Sequence, residues 1–392
     1  MHRGIVSFCA LLCALFASEP VIAHDPSAYG GLFRSRDYGN SWLNADVGLF
    51  LGAVLSLAID PVSPDHLLLG TDTGLLRSRN GGRNWTREVP GELFGAVFSV
   101  TFLPGGKASL CSTPAAVFRF SEDRWERASA PADAVPSRVI VFGAAPGRAY
   151  LVGRRELFQS EDDGRTWVRI RPDLPEHAQF TELVLARTAD ELLIAIIDGR
   201  VMTSIDQGRH WSARTSGLTS PGAEGLSLDP LVPGRVWVGS ADRVYVADTT
   251  TFQWRAVGAP LPDAGTSIRG IAARPDGQGI ITATHRGLYR SSNGGKGWAL
   301  VEDNLPVHLD SRPLVNDPSR AGTFYAGFSL MPYAEIWRIS IEGGNLLARV
   351  DPVSIAGGIA FLLAVALVGV LATRWLLRRA SSRQAQVMER QE

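Results

Sequence analysis

Three arginines and two glutamates occupy equivalent positions in a sequence pattern that recurs along the chain. They are Arg138, Glu182, Glu224, Arg269 and Arg312, and each begins a short apolar run. An arginine guanidinium can bind a carboxylate or a phosphate through two parallel hydrogen bonds. Two carboxylates at a suitable separation can hydrolyse a glycosidic bond. These five residues are therefore the candidates for ligand binding, and Glu182 and Glu224 are the only candidates for catalysis.

Two further units of the pattern carry Ala53 and Ala96 at the same place. If all seven positions converge, the alanines leave room on one side of a charged ring. Two interpretations of the ring remain open. The five charged side chains can neutralise one another as solvated ion pairs, which add little stability. Alternatively, the arginines bind an anionic group of a partner.

These residues are aligned by an eight-residue motif with serine first, aspartate or asparagine third, glycine fifth and tryptophan eighth. The five good copies are Ser35, Asp37, Gly39 and Trp42; Ser78, Asn80, Gly82 and Trp85; Ser160, Asp162, Gly164 and Trp167; Ser204, Asp206, Gly208 and Trp211; and Ser291, Asn293, Gly295 and Trp298. Two copies are degenerate, at 121–125 and 247–254. The motif predicts a hairpin turn in which the carboxylate or amide accepts backbone hydrogen bonds, glycine adopts positive φ and tryptophan is buried.

The motif recurs every 40 residues or so, which is about the length of a four-stranded propeller blade. Short apolar runs separated by turn signals precede each copy, as expected for strands. The sequence therefore predicts an all-β, seven-bladed β-propeller. Its last blade would combine C-terminal strands (SRPLVND, TFYAGFS and EIWRIS) with the N-terminal hairpin. An eighth blade is the alternative if IWRIS and LLARV form a hairpin of their own.

The repeated motif resembles the Asp-box, or BNR repeat, of the sialidase and sortilin-like propeller superfamily, which also includes photosystem II assembly factors. The resemblance covers nearly the whole predicted propeller. It implies that the motif is a structural hairpin at the blade periphery, away from the functional face. Fold alone does not fix function.

Three arginines around a carboxylate resemble a sialidase site. However, the chain lacks the Arg-Ile-Pro motif of sialidases, and alanines occupy the first two ring positions. Catalysis is therefore disfavoured. A protein-binding scaffold or assembly factor is the preferred function, and a carbohydrate-active glycoside hydrolase is the alternative.

The two ends of the chain predict export and membrane anchoring. Residues 1–23 have the charge, apolar run and small-residue end of a signal peptide. The predicted propeller occupies 24–349. Residues 353–373 are uncharged and about long enough to span a bilayer, and the arginine-rich tail 374–392 follows. These features predict a single-pass protein of a bacterial inner membrane, with the propeller in the periplasm and the C-terminus in the cytoplasm. A sorting signal that is cleaved after export is the alternative.

Composition argues against several other classes of function. The chain has 39 basic and 39 acidic residues, which favours no nucleic-acid partner. The histidines are scattered without the spacing of metal ligands, and no cofactor motif occurs. We therefore expect no metal and no cofactor. The expected partner is an exported or membrane protein.

Overall fold

The computed structural model describes residues 30–88, 93–187, 191–220 and 222–342. The chain divides into a compact unit, Met1–Ile341, and a second unit, Glu342–Glu392, and nearly all described residues belong to the first. The predicted signal peptide, membrane span and tail lie outside the described residues. Within the described ranges, no helix has the length and apolar character needed to cross a membrane.

The described residues form 28 strands, one α-helix and one short 3₁₀ helix (Ala132–Ala134). The strands are β1 (Gly31–Ser35), β2 (Leu43–Asn44), β3 (Val54–Ile59), β4 (Leu67–Thr71), β5 (Gly74–Ser78), β6 (Thr86–Arg87), β7 (Ser99–Phe102), β8 (Ser109–Ser112), β9 (Val117–Ser121), β10 (Arg124–Arg127), β11 (Val139–Phe142), β12 (Ala149–Val152), β13 (Leu157–Ser160), β14 (Val168–Ile170), β15 (Phe180–Arg187), β16 (Glu191–Ile197), β17 (Arg200–Ser204), β18 (Ser212–Ala213), β19 (Ala223–Leu228), β20 (Arg235–Ser240), β21 (Arg243–Asp248), β22 (Arg255–Ala256), β23 (Ile268–Ala273), β24 (Ile280–Thr284), β25 (Gly287–Ser291), β26 (Ala299–Leu300), β27 (Asp310–Asn316) and β28 (Phe324–Ser329). The α-helix is α1 (Tyr333–Glu342).

These strands form seven antiparallel sheets of four strands each, which confirms the predicted seven-bladed propeller. Blades 1 to 6 are consecutive sets of four strands, from β3–β6 to β23–β26. Blade 7 is composite, with strand order β2-β1-β28-β27. The innermost strands contact their neighbours around the ring, and β27 contacts β3. The N-terminal hairpin therefore completes the seventh blade, as predicted.

The antiparallel order gives the propeller two distinct faces. Each innermost strand begins at one face, and the third strand of the blade runs in the same direction and ends at the other. The repeated motif follows the third strand, so its hairpins lie on the face opposite the starts of the innermost strands. We call these the hairpin face and the mouth face.

The five good copies of the motif share one hydrogen-bond pattern. The serine hydroxyl accepts a bond of 2.8–2.9 Å from the glycine amide and donates to the third residue. The third residue's Oδ1 accepts a bond from the amide four residues later at 2.9 Å. The glycines adopt φ of 77–84°. The turn is thus satisfied by its own side chains and needs no ligand.

Replacing Asp162 with asparagine is expected to lower the free energy of unfolding by about 1 kcal/mol or less at pH 7. Partial burial opposes ionisation, but bonds from the Thr166 amide and hydroxyl and from Ser160 outweigh it and lower the pKa of Asp162. This stabilisation is present above the unfolded value of 3.8 and is lost as pH falls through the lower folded pKa. In urea unfolding, the difference between wild type and variant should therefore shrink towards pH 3. A difference independent of pH would contradict the prediction.

The motif tryptophans join adjacent blades. Trp42 of blade 7 is 1% exposed and packs with Ile281 and Ala283 of blade 6 and Phe324 of its own blade. Both degenerate copies still form hairpins, and Trp254 remains buried. Blade 2 turns with only two residues, Glu122 and Asp123, between its outer strands. The blade therefore still forms with the shortened turn, but this turn projects less from the hairpin face.

The predicted strand EIWRIS is wrong, because this segment belongs to α1. Blade 7 is already complete with four strands, so no sheet position remains for it. Tyr333, Ile336 and Trp337 have the i, i+3, i+4 spacing of one helical face, and all three are buried. The eighth blade is accordingly not formed by the described residues.

Candidate functional site

Bulges at the mouth face position three residues of the predicted ring. The ladder between the first and second strands shifts register in five blades. Glu224, Arg269 and Arg312 fall in the shifts, where a bulge re-aims the side chain. The equivalent residue is Leu55 in blade 1 and Thr181 in blade 4, so the predicted alignment is displaced at Ala53 and Glu182. Sequence spacing could not reveal these bulges.

Helix α1 packs at the mouth beside blades 1 and 2. Its residues Tyr333, Ile336 and Trp337 form one cluster with Leu55 and Phe98, and the two ring alanines belong to the same cluster. Phe98 makes edge contacts with both aromatic side chains, with centroids 5.4 Å from Tyr333 and 4.9 Å from Trp337. The room expected at the alanines is therefore filled by the chain's own helix, because Ala53 and Ala96 are small enough to admit it.

Arg138 lies against this helix. Its guanidinium carbon is 4.0 Å from the centroid of the Trp337 ring, a distance typical of a cation–π contact. Burial lowers the pKa of Arg138, and the nearby charge of Arg312 acts in the same direction. Within the described residues, no oxygen accepts a hydrogen bond or forms an ion pair with the Arg138 guanidinium. Arg138 is thus held in place by stacking, with its donors available.

Arg312 and Glu182 form an ion pair that spans the mouth, from blade 7 to blade 4. The Arg312 guanidinium carbon also lies 4.7 Å from the Tyr333 ring centroid. The side chains of the pair are 25% and 13% exposed. This contact agrees with the ion-pair interpretation of the charged ring. Arg312 and Arg138 thus lie over two aromatic side chains of the same helix, Tyr333 and Trp337.

Arg269 pairs with Asp310, a residue that the sequence reasoning missed. The second oxygen of Asp310 accepts a bond of 3.0 Å from the Tyr333 amide at the start of α1. An acidic group is favourable there because the first helical amides lack partners within the helix. Asp310 therefore ties the ring to the helix. Its position two residues before Arg312 could have indicated that it lies near the ring. Its contact with α1 could not be predicted, because that helix was not expected from the sequence.

Glu224 is exposed and accepts a hydrogen bond from the Ser267 hydroxyl of blade 6. Glu182 is engaged by Arg312 instead. The two candidate catalytic carboxylates lie on adjacent blades but are bound to different partners. In the described part of the chain, no group of three or more histidine, cysteine, aspartate or glutamate residues could hold a metal ion.

Comparisons with known proteins identify the architecture. No protein-family model and no curated protein matches the chain. Among solved structures it is similar to YCF48 from Cyanidioschyzon merolae, with 16% identity and a TM-score of 0.55, covering 71% of this chain and 96% of that one. It is also similar to YCF48 bound to D1 peptide, with 16% identity and a TM-score of 0.54, covering 71% and 94%. A GH74 enzyme of Niastella koreensis gives 17% identity and a TM-score of 0.56, covering 73% of this chain and 52% of the enzyme. At these identities the likeness establishes the propeller fold alone.

Proposed function

We propose that this chain is an exported, membrane-anchored propeller that binds another exported or membrane protein through its mouth face, as a scaffold or assembly factor. Arg138 receives a carboxylate or other anionic group of that partner. The observation that carries the proposal is the state of Arg138. Its guanidinium has no hydrogen-bond acceptor among the described residues. Its orientation is nevertheless fixed, because it stacks on the Trp337 ring.

The chemistry of Arg138 favours an anion. A guanidinium has five N–H donors in a planar fork that matches a carboxylate, and charge-assisted bonds of this kind are stronger than neutral ones. Arg312 adds positive potential nearby, although Glu182 offsets part of it. Stacking on Trp337 orders the Arg138 side chain in advance, so less conformational entropy is lost when a partner binds.

The surroundings of the mouth favour a protein partner over a small ion. Exposed apolar side chains lie in segments of the same face, with exposed fractions of 71% for Val47, 69% for Phe94 and 45% for Leu330. The segments of Leu330 and Val47 adjoin, because the Leu330 amide donates to the Gly52 carbonyl at 2.9 Å. Aromatic and apolar groups around an arginine are typical of protein interfaces. The peptide bound by YCF48 is a precedent in a propeller of the same fold.

The glycoside hydrolase alternative has less support. Retaining and inverting hydrolases need two carboxylates that face one bond. Here Glu182 is neutralised by Arg312, and Glu224 is engaged by Ser267. We therefore place protein binding first, and we retain export, the signal peptide at 1–23 and the span at 353–373 as parts of the proposal that rest on the sequence.

A crosslinking pull-down from membranes tests the proposal with Arg138→Gln and the control Arg155→Gln. Arg155 is an exposed arginine in the β12–β13 turn of the same blade and face. Loss of one charged partner typically costs about 2 kcal/mol or more, so we expect at least ~30-fold weaker binding by Arg138→Gln. Thermal unfolding checks that both variants are folded at the temperature of the pull-down. Equal recovery of the same partner by both would overturn the role of Arg138, and recovery of no partner by wild type would favour glycan ligands.

A further inference from the structure

A cleft lies between blades 2 and 3 on the hairpin face, opposite the mouth. It has a volume of about 650 Å³, compared with 380 and 290 Å³ for two cavities along the ends of the innermost strands. Its walls are the turns that join β7 to β8, β9 to β10, β11 to β12 and β13 to β14. This cleft belongs to neither the mouth nor the proposed protein-binding surface.

The cleft is open because its walls are short and built from small residues. The β9–β10 turn contains only Glu122 and Asp123, whereas the corresponding turn of blade 3 runs from 161 to 167. The β11–β12 turn contributes Gly143, Ala144 and Gly147 to the lining. The small residues at these three positions and the two-residue β9–β10 turn leave space of the size that small-molecule ligands occupy.

Three cationic side chains line this space without a carboxylate partner. They are Lys107, Arg119 and Arg165, and no ion pair joins any of them to an acidic group within the described residues. Lys107 and Arg165 are exposed, whereas Arg119 is only 7% exposed. The Arg119 Nε donates to the Asp163 carbonyl at 3.1 Å, and another of its nitrogens donates to the Ser121 hydroxyl. Arg119 is thus a fixed charge in the wall.

The other charged groups of the lining reduce this excess but leave the lining with a net positive charge. Arg148 is already paired with Glu161 and Glu191. Two acidic residues, Glu122 and Asp163, also line the cleft. Burial lowers the pKa of Arg119, and the neighbouring charge of Arg165 lowers it further. Asp163, Glu126 and Asp162 act on Arg119 in the opposite direction. The charges of Arg119 and Arg165 therefore repel one another, and an anion bound between them would reduce this repulsion.

We propose that this cleft binds a compact, multiply charged anion, such as a phosphorylated or polycarboxylate small molecule. The ligand's anionic groups contact Lys107 and Arg165 at the opening and the Arg119 guanidinium in the wall. Phosphates and carboxylates share the oxygen geometry that these donors recognise. The volume of the cleft is that of a small-molecule site. The site is independent of partner binding at Arg138.

Isothermal titration calorimetry of the full chain in a mild non-ionic detergent tests the proposal, with inorganic pyrophosphate and citrate as separate probes at low ionic strength. We expect wild type to bind at least one probe, with affinity that falls as salt is added. The double variant Lys107→Gln/Arg165→Gln should bind at least about tenfold more weakly, since two charge-assisted contacts are lost. Tighter binding of pyrophosphate or of citrate identifies the phosphate or the polycarboxylate class.

The matched control is Arg209→Gln. Arg209 occupies the same motif position in blade 4 that Arg165 occupies in blade 3, and it is also exposed. Its affinity for either probe should stay within about twofold of wild type, because surface charges at a distance are screened. Both altered side chains of the double variant are exposed, so thermal unfolding should not change. Absence of binding by wild type, or equal binding by the double variant, would overturn the proposal.

Discussion

Replacing Phe328 with alanine is expected to lower the free energy of unfolding by about 3–5 kcal/mol, as for other buried aromatic residues. Phe328 is fully buried and lies on β28, between the two strands that complete the composite blade. Its ring meets Phe33 of β1 edge to face, with centroids 5.4 Å apart. The substitution therefore leaves a cavity where the two ends of the propeller join. Urea unfolding followed by tryptophan fluorescence measures the effect.

Phe94→Ala is the control for this prediction. Phe94 is 69% exposed, so its removal should change the free energy of unfolding by no more than about 0.5 kcal/mol. Comparable losses from Phe328→Ala and Phe94→Ala would contradict the packing of the composite blade described above.

Replacing Trp337 with alanine is expected to release α1 from the mouth. Trp337 is 5% exposed and contacts Phe98, Tyr333 and Arg138 through its ring. Loss of a buried tryptophan lowers the free energy of unfolding by about 3–5 kcal/mol. Here it destabilises mainly α1, a helix that can open locally while the blades stay folded. Hydrogen exchange of the α1 amides should become at least about 100-fold faster, while the amides of the inner strands keep their protection.

Ser340→Ala is the corresponding control on the same helix. Alanine has a higher helix propensity than serine, so exchange of the α1 amides should stay the same or become slower. Unchanged protection of α1 in Trp337→Ala would mean that Trp337 does not hold the helix at the mouth. The role of Tyr333 and Ile336 would then have to be larger than their contacts suggest.

The blades could be predicted because their signals are local and repeated. The serine, glycine and tryptophan of the motif recur at one spacing, and each turn is stabilised by atoms within eight residues, as the bonds of Ser35 and Asp37 illustrate. Closure by the N-terminal hairpin followed from the strands left over at the two ends. Helix α1 was missed because alternating residues in EIWRIS resemble a strand. The helical spacing of Tyr333, Ile336 and Trp337 was the signal that could have identified it.

The candidate site was less predictable, because its contacts join distant blades. Spacing brought Arg138, Glu182 and Arg312 to one mouth, but it could not specify that Glu182 pairs with Arg312 across 130 residues of chain. The bulges that shift the register depend on neighbouring strands. Asp310 acquires its role only when α1 begins beside it. Pairings of this kind depend on the closed ring and leave no trace in a local pattern.

The composite blade also determines when this protein can finish folding. The Val54 amide reaches the Ser329 hydroxyl across 275 residues, and Arg290 reaches Asn40 across 250. Contacts between such distant parts of a chain slow the folding rate, because a long loop must close before they form. Strand β1 leaves the ribosome early but has no inner partner until β28 has been made. Its edge stays open to wrong pairing during that interval, so the first strand that the structure describes depends on the last one.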